Sequence, residues 1–266
     1  MGVRQRRCPG IWLNRLKMSE WILNEGERLD DLVRDGMKII QRPDQFCFSL
    51  DSVLLAHYVT LKGNDRIADL GTGTGVISLL LASLGAKNIA AFEMNPVMAD
   101  LAKRNVINNH KTDIIRVVET DYREAKKFYP SGYFTSVVVN PPYRQVGSGR
   151  MSRSEGVASA SYEINATLDE VFRTARYLLK FGGRLTMVHR ADRLADLISL
   201  GRSYRMEPKR VRPVYARCHH SAVRILMEWR YGGNPELLIE NPLFIHNPDG
   251  SYTNEILEIY GKESHE

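Results

Sequence analysis

Cysteine is scarce: three residues in 266, Cys8, Cys47 and Cys218, far apart and with no Cys-x-x-Cys pair. An odd count without paired spacing argues against a disulfide framework or a thiolate zinc site, and it makes a reducing, cytoplasmic compartment the default expectation. No apolar run approaches about 18 residues, so no membrane-spanning helix is expected. The basic start, Met1–Lys17, is followed by no apolar stretch of about 7–15 residues and does not read as a signal peptide. Its five basic and no acidic side chains ahead of Met18 read as a loosely ordered extension or an upstream start codon. Histidines are dispersed apart from His219-His220, an adjacent pair that does not suit a shared helical metal site, so no metal is expected. Repeats and low-complexity segments do not stand out. Nor is there an acidic excess: Lys and Arg number 37 against 31 Asp and Glu, a net charge of +6. That balance permits a polyanionic partner without establishing one.

What is present is an ordinary core-forming composition, 43% hydrophobic and 26% charged. Strand-like and helix-like runs alternate from Arg66 onward. RIADL (Arg66–Leu70), NIAAFE (Asn88–Glu93), IIRVVE (Ile114–Glu119), FTSVVVN (Phe134–Asn140) and RLTMVH (Arg184–His189) read as strands. Val76–Leu84, Pro96–Asn108 and Leu168–Lys180 read as helices, the last stopping at the Gly182-Gly183 pair. Such alternation predicts an α/β fold with a mostly parallel sheet and helices on both faces. Val211–Tyr215 and Ala222–Tyr231 have no helix between them and predict an antiparallel last hairpin, for seven strands in all. The expected organisation is a basic, poorly ordered extension over 1–28 and one domain over 29–262, with a lead-in over 29–62. A monomer is the default.

The segment ADLGTGTGVISLLLA places Asp69 at a strand end, followed by Gly71, Gly73 and Gly75 before a helix. Glycine lets a chain turn sharply and brings backbone close to a ligand. A dinucleotide loop wants a third glycine where this chain has Val76, and no Lys-Ser or Lys-Thr completes a phosphate loop. An acid followed by Gly-x-Gly-x-Gly suits a ligand with a cationic amino-acid moiety. Glu93, 22 residues after Gly71 and at the end of the second strand, can accept both hydroxyl hydrogens of a ribose. Asp121, past the third strand, can accept from an adenine amine, with Tyr122 able to pack on the ring. Alone, the glycines could be only a tight turn and the acids only solvated loop residues. Together they fall on successive strand ends, where ligands of such sheets bind.

Asn140-Pro141-Pro142-Tyr143 directly follows the fourth strand. Two prolines end a strand and lock the backbone. The turn can aim the Asn140 side-chain oxygen and the Pro141 carbonyl at one point, where a planar amine donates a hydrogen to each. The nitrogen lone pair is then favoured to leave the conjugated system and attack a methyl on a sulfonium. Positioning is the main task, and no histidine base is required. Tyr143 supplies a flat face for stacking. The bland alternative is a strand-ending proline turn with a packed tyrosine.

With these motifs the chain resembles the class I, Rossmann-like methyltransferases that methylate amines. GMKIIQRPDQFCFSLDSVLLAHY, DLGTGTG, NPPY, RADRLADL, EPKRVRPVY and NPDGSYTNEILEIY together resemble the tRNA1(Val) adenine-37 N6-methyltransferase family. The resemblance implies S-adenosylmethionine as cofactor and the anticodon stem-loop of a tRNA as partner. It makes Asp69, Gly71, Thr72, Gly73 and Gly75 the cofactor loop, Glu93 the ribose acid with Met94 beside it, and Asp121 and Tyr122 the adenine site. Asn140, Pro141, Pro142 and Tyr143 become the target-amine site, with Asn140 also next to the cofactor. Phe48, Ser49 and Asp51 lie in the lead-in that closes over the cofactor; alternatively Phe48 is core and Asp51 a helix cap.

A base in a folded loop must be exposed before it is modified, and a basic surface should receive it. Arg144, Arg150 and Arg153 follow the tetrapeptide. Lys209, Arg210 and Arg212 belong to a second basic run, Arg202–Arg217. Other readings stay open: a protein glutamine N5-methyltransferase, since a side-chain amide is also a planar amine; an adenine methyltransferase of rRNA or DNA; and a cofactor-binding RNA chaperone.

Overall fold

The computed structural model describes residues 21–32, 34–45, 47–141 and 168–261. In the lead-in, β1 (Arg28–Asp31) and β2 (Lys38–Gln41) form an antiparallel hairpin. Helix α1 (Leu50–Tyr58) follows, with Val53, Leu54, Leu55 and Ala56 buried. The first sheet strand, β3 (Ile67–Leu70), is buried at every position, and the chain returns through α2 (Val76–Ser83). Next come β4 (Ile89–Glu93), α3 (Pro96–Asn108) and β5 (Ile115–Glu119). The start of α3 is written locally: Asn95 accepts from the amides of Val97 and Met98, and Pro96 occupies the first turn, where its missing amide costs nothing. A 3₁₀ turn (Tyr122–Lys127) leads to β6 (Phe134–Val139), again buried throughout. Strands covered on both faces read as such continuous apolar runs.

After β6 come helical residues 168–178 (α4), then β7 (Leu179–Arg190) and α5 (Leu194–Ser203). The chain ends in β8 (Met206–Tyr215), β9 (Ala222–Tyr231), two short strands β10 (Leu238–Ile239) and β11 (Leu243–Phe244), and α6 (Asn254–Ile259). The sheet order is β10-β8-β9-β7-β6-β3-β4-β5, with β11 also on β8. The seven expected strands are present. β9 is inserted between β7 and β8 and runs antiparallel to both, and the two short strands add to the β8 edge.

Alternation along the strands feeds two cores. Ile67, Val138, Val188 and Leu226 pack with α1, α2 and α6 on one face. Ala68, Val137, Val139, Met187 and Trp229 pack with α4 and α5 on the other.

Two boundaries differ from expectation. The helix expected to reach Gly182-Gly183 ends at residue 178, and Leu179 already pairs with Phe134. The next register pair joins Ser136 to Arg184, so residues 180–183 bulge from the ladder, with Gly182 at φ +76°. The glycines serve a strand irregularity, not a helix stop. β8 starts at Met206 rather than Val211. Its Pro208 and Pro213 fall where the short edge strands do not pair, since these engage only Arg210, Val211, Val214 and Tyr215.

Of the expected extension, residues 1–20 lie outside the described residues. Trp21 packs beside Ile40, Met98 and Leu101. Arg104 on α3 donates to both carboxylate oxygens of Glu27, at 2.6 and 2.8 Å, and to the Ile22 carbonyl at 2.6 Å. Those hydrogen bonds from Arg104 hold the Glu27 carboxyl down to about 2.

Candidate active site at the carboxyl ends of the strands

Strand order reverses at β3: the chain runs from β3 to β4 on one side and reaches β6 on the other. Ligands of open α/β sheets bind outside the strand ends at such a point. Register shows what stands there. Val139, Leu70, Phe92 and Val118 are paired across four strands. The next residues, Asn140, Gly71, Glu93 and Glu119, therefore stand level at neighbouring ends, with strand spacings of about 4.8 Å.

The glycine loop is tied to its own strand by a carboxylate. Asp69, fully buried, accepts from the Thr72 hydroxyl at 2.6 Å and the Ser78 hydroxyl at 2.7 Å, tying strand, loop and α2 together. Burial pushes its pKa up to about 6, against the opposing effect of those two hydroxyls. Gly71, Gly73 and Gly75 have φ of +71°, +61° and +88°. That backbone region, not lack of room, requires glycine, since a Cβ at Gly73 or Gly75 would meet its neighbours only at ordinary contact distance.

Glu93 is 9% exposed. One carboxylate oxygen accepts from the Gly73 amide at 2.8 Å and the other from the Asn95 amide at 2.9 Å. Each oxygen retains capacity for a further donor, which is what a vicinal diol demands. Met94, 63% exposed, offers an apolar surface directly beside it. Asp121 caps the 3₁₀ turn and is paired with Arg123, which also reaches Glu170 at 2.8 Å. Burial works to raise the Asp121 pKa, but the Arg123 hydrogen bonds outweigh it and leave the carboxyl below its ordinary value. Tyr122 packs on the second core, and burial lifts its pKa to about 12.

Asn140 follows β6, and its side-chain nitrogen lies 3.3 Å from the Ser52 hydroxyl on α1. Pro141 is buried. Pro142, Tyr143, Arg144, Arg150 and Arg153 lie outside the described residues.

The lead-in is brought to this rim. Phe48 packs on the first core, and its amide donates to Gln41 at 2.9 Å. Asp51 is not a cap: it sits inside the first turn of α1 and accepts from Arg224 at 2.9 Å, while Ser49 holds the N-cap position without a side-chain bond. Lys209, Arg210 and Arg212 stand apart from the β6, β3 and β4 ends. They stand on β8, beyond β7 and β9 from β6. Arg210 engages Glu240 at 2.6 Å and Thr60 at 2.7 Å, and Arg212 pairs with Glu255. Lys209 donates to the Asn234 and Pro235 carbonyls.

One residue of the site went unread in the sequence. Asn105, wholly buried on α3, accepts from the Ile40 amide at 2.7 Å and donates to the carbonyls of Ile40, at 3.1 Å, and Thr74, at 2.9 Å. Its signal was an amide on the apolar face of a helix, between Leu101 and Val106. Among the described residues, no cluster of His, Cys, Asp or Glu could hold a metal ion, and no helix is long and apolar enough to cross a membrane.

A sheet of seven main strands with one antiparallel strand inserted, extended by two short edge strands, together with a glycine loop, a strand-end acid and Asn-Pro after β6, defines a class I methyltransferase. The chain belongs to the methyltransferase small domain family, whose model matches residues 37–198. It is 30% identical over 213 residues to a tRNA1(Val) (adenine(37)-N6)-methyltransferase of Bacteroides thetaiotaomicron, covering 79% of this chain and 86% of that one. A protein of the same name from Porphyromonas gingivalis is 28% identical over 72% of this chain and 76% of its own. Among solved structures, a predicted O-methyltransferase from Agrobacterium tumefaciens matches with a TM-score of 0.65 and 24% identity, over 81% of this chain and 98% of that chain. A Pyrococcus horikoshii TYW2 in complex with MeSAdo matches at a TM-score of 0.55 and 16% identity, over 79% and 73%. These structural likenesses speak for the fold.

Proposed function

We propose that this enzyme transfers the methyl group of S-adenosylmethionine to the N6 amine of an adenine in tRNA, adenine-37 beside the anticodon being the position its relatives' names specify. The observation that carries the reading is the level placement of Asn140, Gly71 and Glu93 on three neighbouring strand ends. It supports a reading in which a target-amine acceptor adjoins a loop and a carboxylate suited to a nucleoside with an amino-acid tail. The residues present fit the cofactor: Glu93 would take the ribose hydroxyls, Met94 would cover an adenine face, and the Gly71–Gly75 backbone would admit the tail. When bound, the cofactor supplies a methyl made electrophilic by a positively charged sulfur.

The chain's own work is orientation. The Asn140 oxygen and the Pro141 carbonyl accept the two amine hydrogens and direct the nitrogen lone pair at the methyl carbon. The nitrogen so held would take the methyl carbon as that carbon's bond to sulfur breaks, the bond pair remaining with sulfur. The excess amine proton leaves along one of these hydrogen bonds to solvent. Contacts from Arg144, Arg150 and Arg153 to the RNA backbone belong to the same proposal; replacing Arg150 and Arg153 together would weaken tRNA binding most at low salt.

The test is incubation with labelled S-adenosylmethionine and total tRNA, followed by nucleoside mass analysis. N6-methyladenosine is the expected product, whereas label on a protein glutamine would replace this reading with an amide methyltransferase. Asn140→Ala should reduce turnover at least 100-fold, with cofactor affinity by calorimetry within about threefold of the parent. Turnover retained by the purified variant would remove Asn140 from the role.

A further inference from the structure

Asn140 stands on a strand end, and the terminal torsion of an asparagine is broad, with nothing intrinsic to choose one face. Its carboxamide has two unlike ends, an oxygen that accepts and a nitrogen that donates. For a target amine only the oxygen is useful, because the nitrogen end would set donor against donor. Methyl transfer at this site therefore depends on which way the carboxamide is turned and how firmly it stays there.

The contact that bears on this comes from the lead-in. Asn140 donates through Nδ2 to the Ser52 hydroxyl, at 3.3 Å and across 88 residues of sequence. The two ends of a carboxamide diverge from Cγ, so engaging the nitrogen on α1 turns the oxygen away from α1. Ser52 is itself well held. It is 4% exposed, on a turn whose neighbour Asp51 is tied to Arg224 of β9 at 2.9 Å. One turn of α1 is thus fastened to β9 on one side and to the end of β6 on the other, spanning the end of β7 between them.

We infer that Ser52 is a positioning residue for methyl transfer: its hydroxyl holds the Asn140 carboxamide with the oxygen presented to the target amine, and the Asp51–Arg224 pair fixes the hydroxyl in place. This rests on the reading of Asn140 given above. It assigns the lead-in a part in the chemical step, separate from any closure over the cofactor.

The role separates kcat from binding. With the full chain, Ser52→Ala should lower kcat for tRNA methylation about five- to tenfold, the range of one hydrogen bond. KM for tRNA and the calorimetric Kd for S-adenosylmethionine should stay within twofold. Ser52→Thr, which keeps the hydroxyl, should recover at least half of the parent kcat at equal thermal midpoint. Unchanged kcat in Ser52→Ala would overturn the inference, as would a parallel fall in kcat, cofactor affinity and thermal midpoint, the mark of a merely structural residue. Should Ser52→Ala prove poorly folded, Asp51→Asn provides the second measurement. By loosening the same turn it should lower kcat with cofactor Kd unchanged, and an unchanged kcat would again count against the role. Failure of the underlying reading looks different: the parent protein itself would then form no N6-methyladenosine, or Asn140→Ala would keep its turnover.

Discussion

The carboxylates on β3 and β4 and those on the β7–β9–β8 side are partnered in opposite ways. On the β3–β4 side, Asp69 and Glu93 accept from neutral donors, hydroxyls at Asp69 and backbone amides at Glu93. On the β7–β9–β8 side, acids meet cations: Arg210 with Glu240 and Glu228, Arg212 with Glu255, Arg224 with Asp51, and Arg184 with Asp65. A carboxylate that accepts from amides has no cation set against it, whereas one facing a guanidinium is already engaged. The first flank has the arrangement the proposed cofactor site requires, and the second holds strands together. A cleft of about 560 Å³ among Thr60, Arg184, Arg210 and Glu228 lies on the second flank, and these two arginines are among the paired ones.

Three substitutions would break or sharpen this contrast. The largest effect is expected on the binding flank: Glu93→Ala should weaken S-adenosylmethionine binding about 10- to 100-fold by calorimetry, the scale of charge-assisted hydrogen bonds. Unchanged affinity would remove Glu93 from the cofactor site. Asp69→Asn comes next and is read through pH. The folded pKa near 6 lies above the ordinary 3.8, so the folded state favours the protonated acid. This group's contribution to stability is complete below about 3.8 and is lost as pH rises to about 6. Denaturant titrations should show the parent losing on the order of 2 kcal/mol relative to Asp69→Asn across that window. Parallel profiles would contradict a buried, raised acid. The smallest effect belongs to the second flank. Arg210→Met, at a side chain still 29% exposed, should cost about 1 kcal/mol and leave cofactor and tRNA affinities unaltered. A fall in tRNA affinity there would make β8 an RNA contact.

That contrast also marks what could be read beforehand. The apolar runs of β3, β4 and β6, the Asn95-Pro96 start of α3 and the glycine loop are local patterns, and each appears where its residues put it. Glu93 was legible because a parallel strand of known length ends at a known place. The partners of Arg210 and Arg224 were not, since Thr60 is 150 residues from Arg210 and Asp51 is 173 from Arg224. A basic run on one strand looks the same whether it faces phosphate or a distant glutamate. Gly182-Gly183 misled for a related reason: glycine marks a break in regular backbone without saying whether a helix ends or a strand bulges.

Asn105 has a consequence for ligand linkage. A single carboxamide joins the Thr74 carbonyl of the glycine loop to the backbone of Ile40 in the lead-in hairpin. Whatever steadies the loop must then also steady the hairpin, because a buried amide cannot lose one partner without leaving a polar group unpaired. Cofactor binding is therefore expected to slow protease cleavage and amide exchange between Arg28 and Gln41, a stretch that the ligand need not touch. The coupling is reciprocal: trimming the chain to its sheet would be felt as lost affinity for the small molecule.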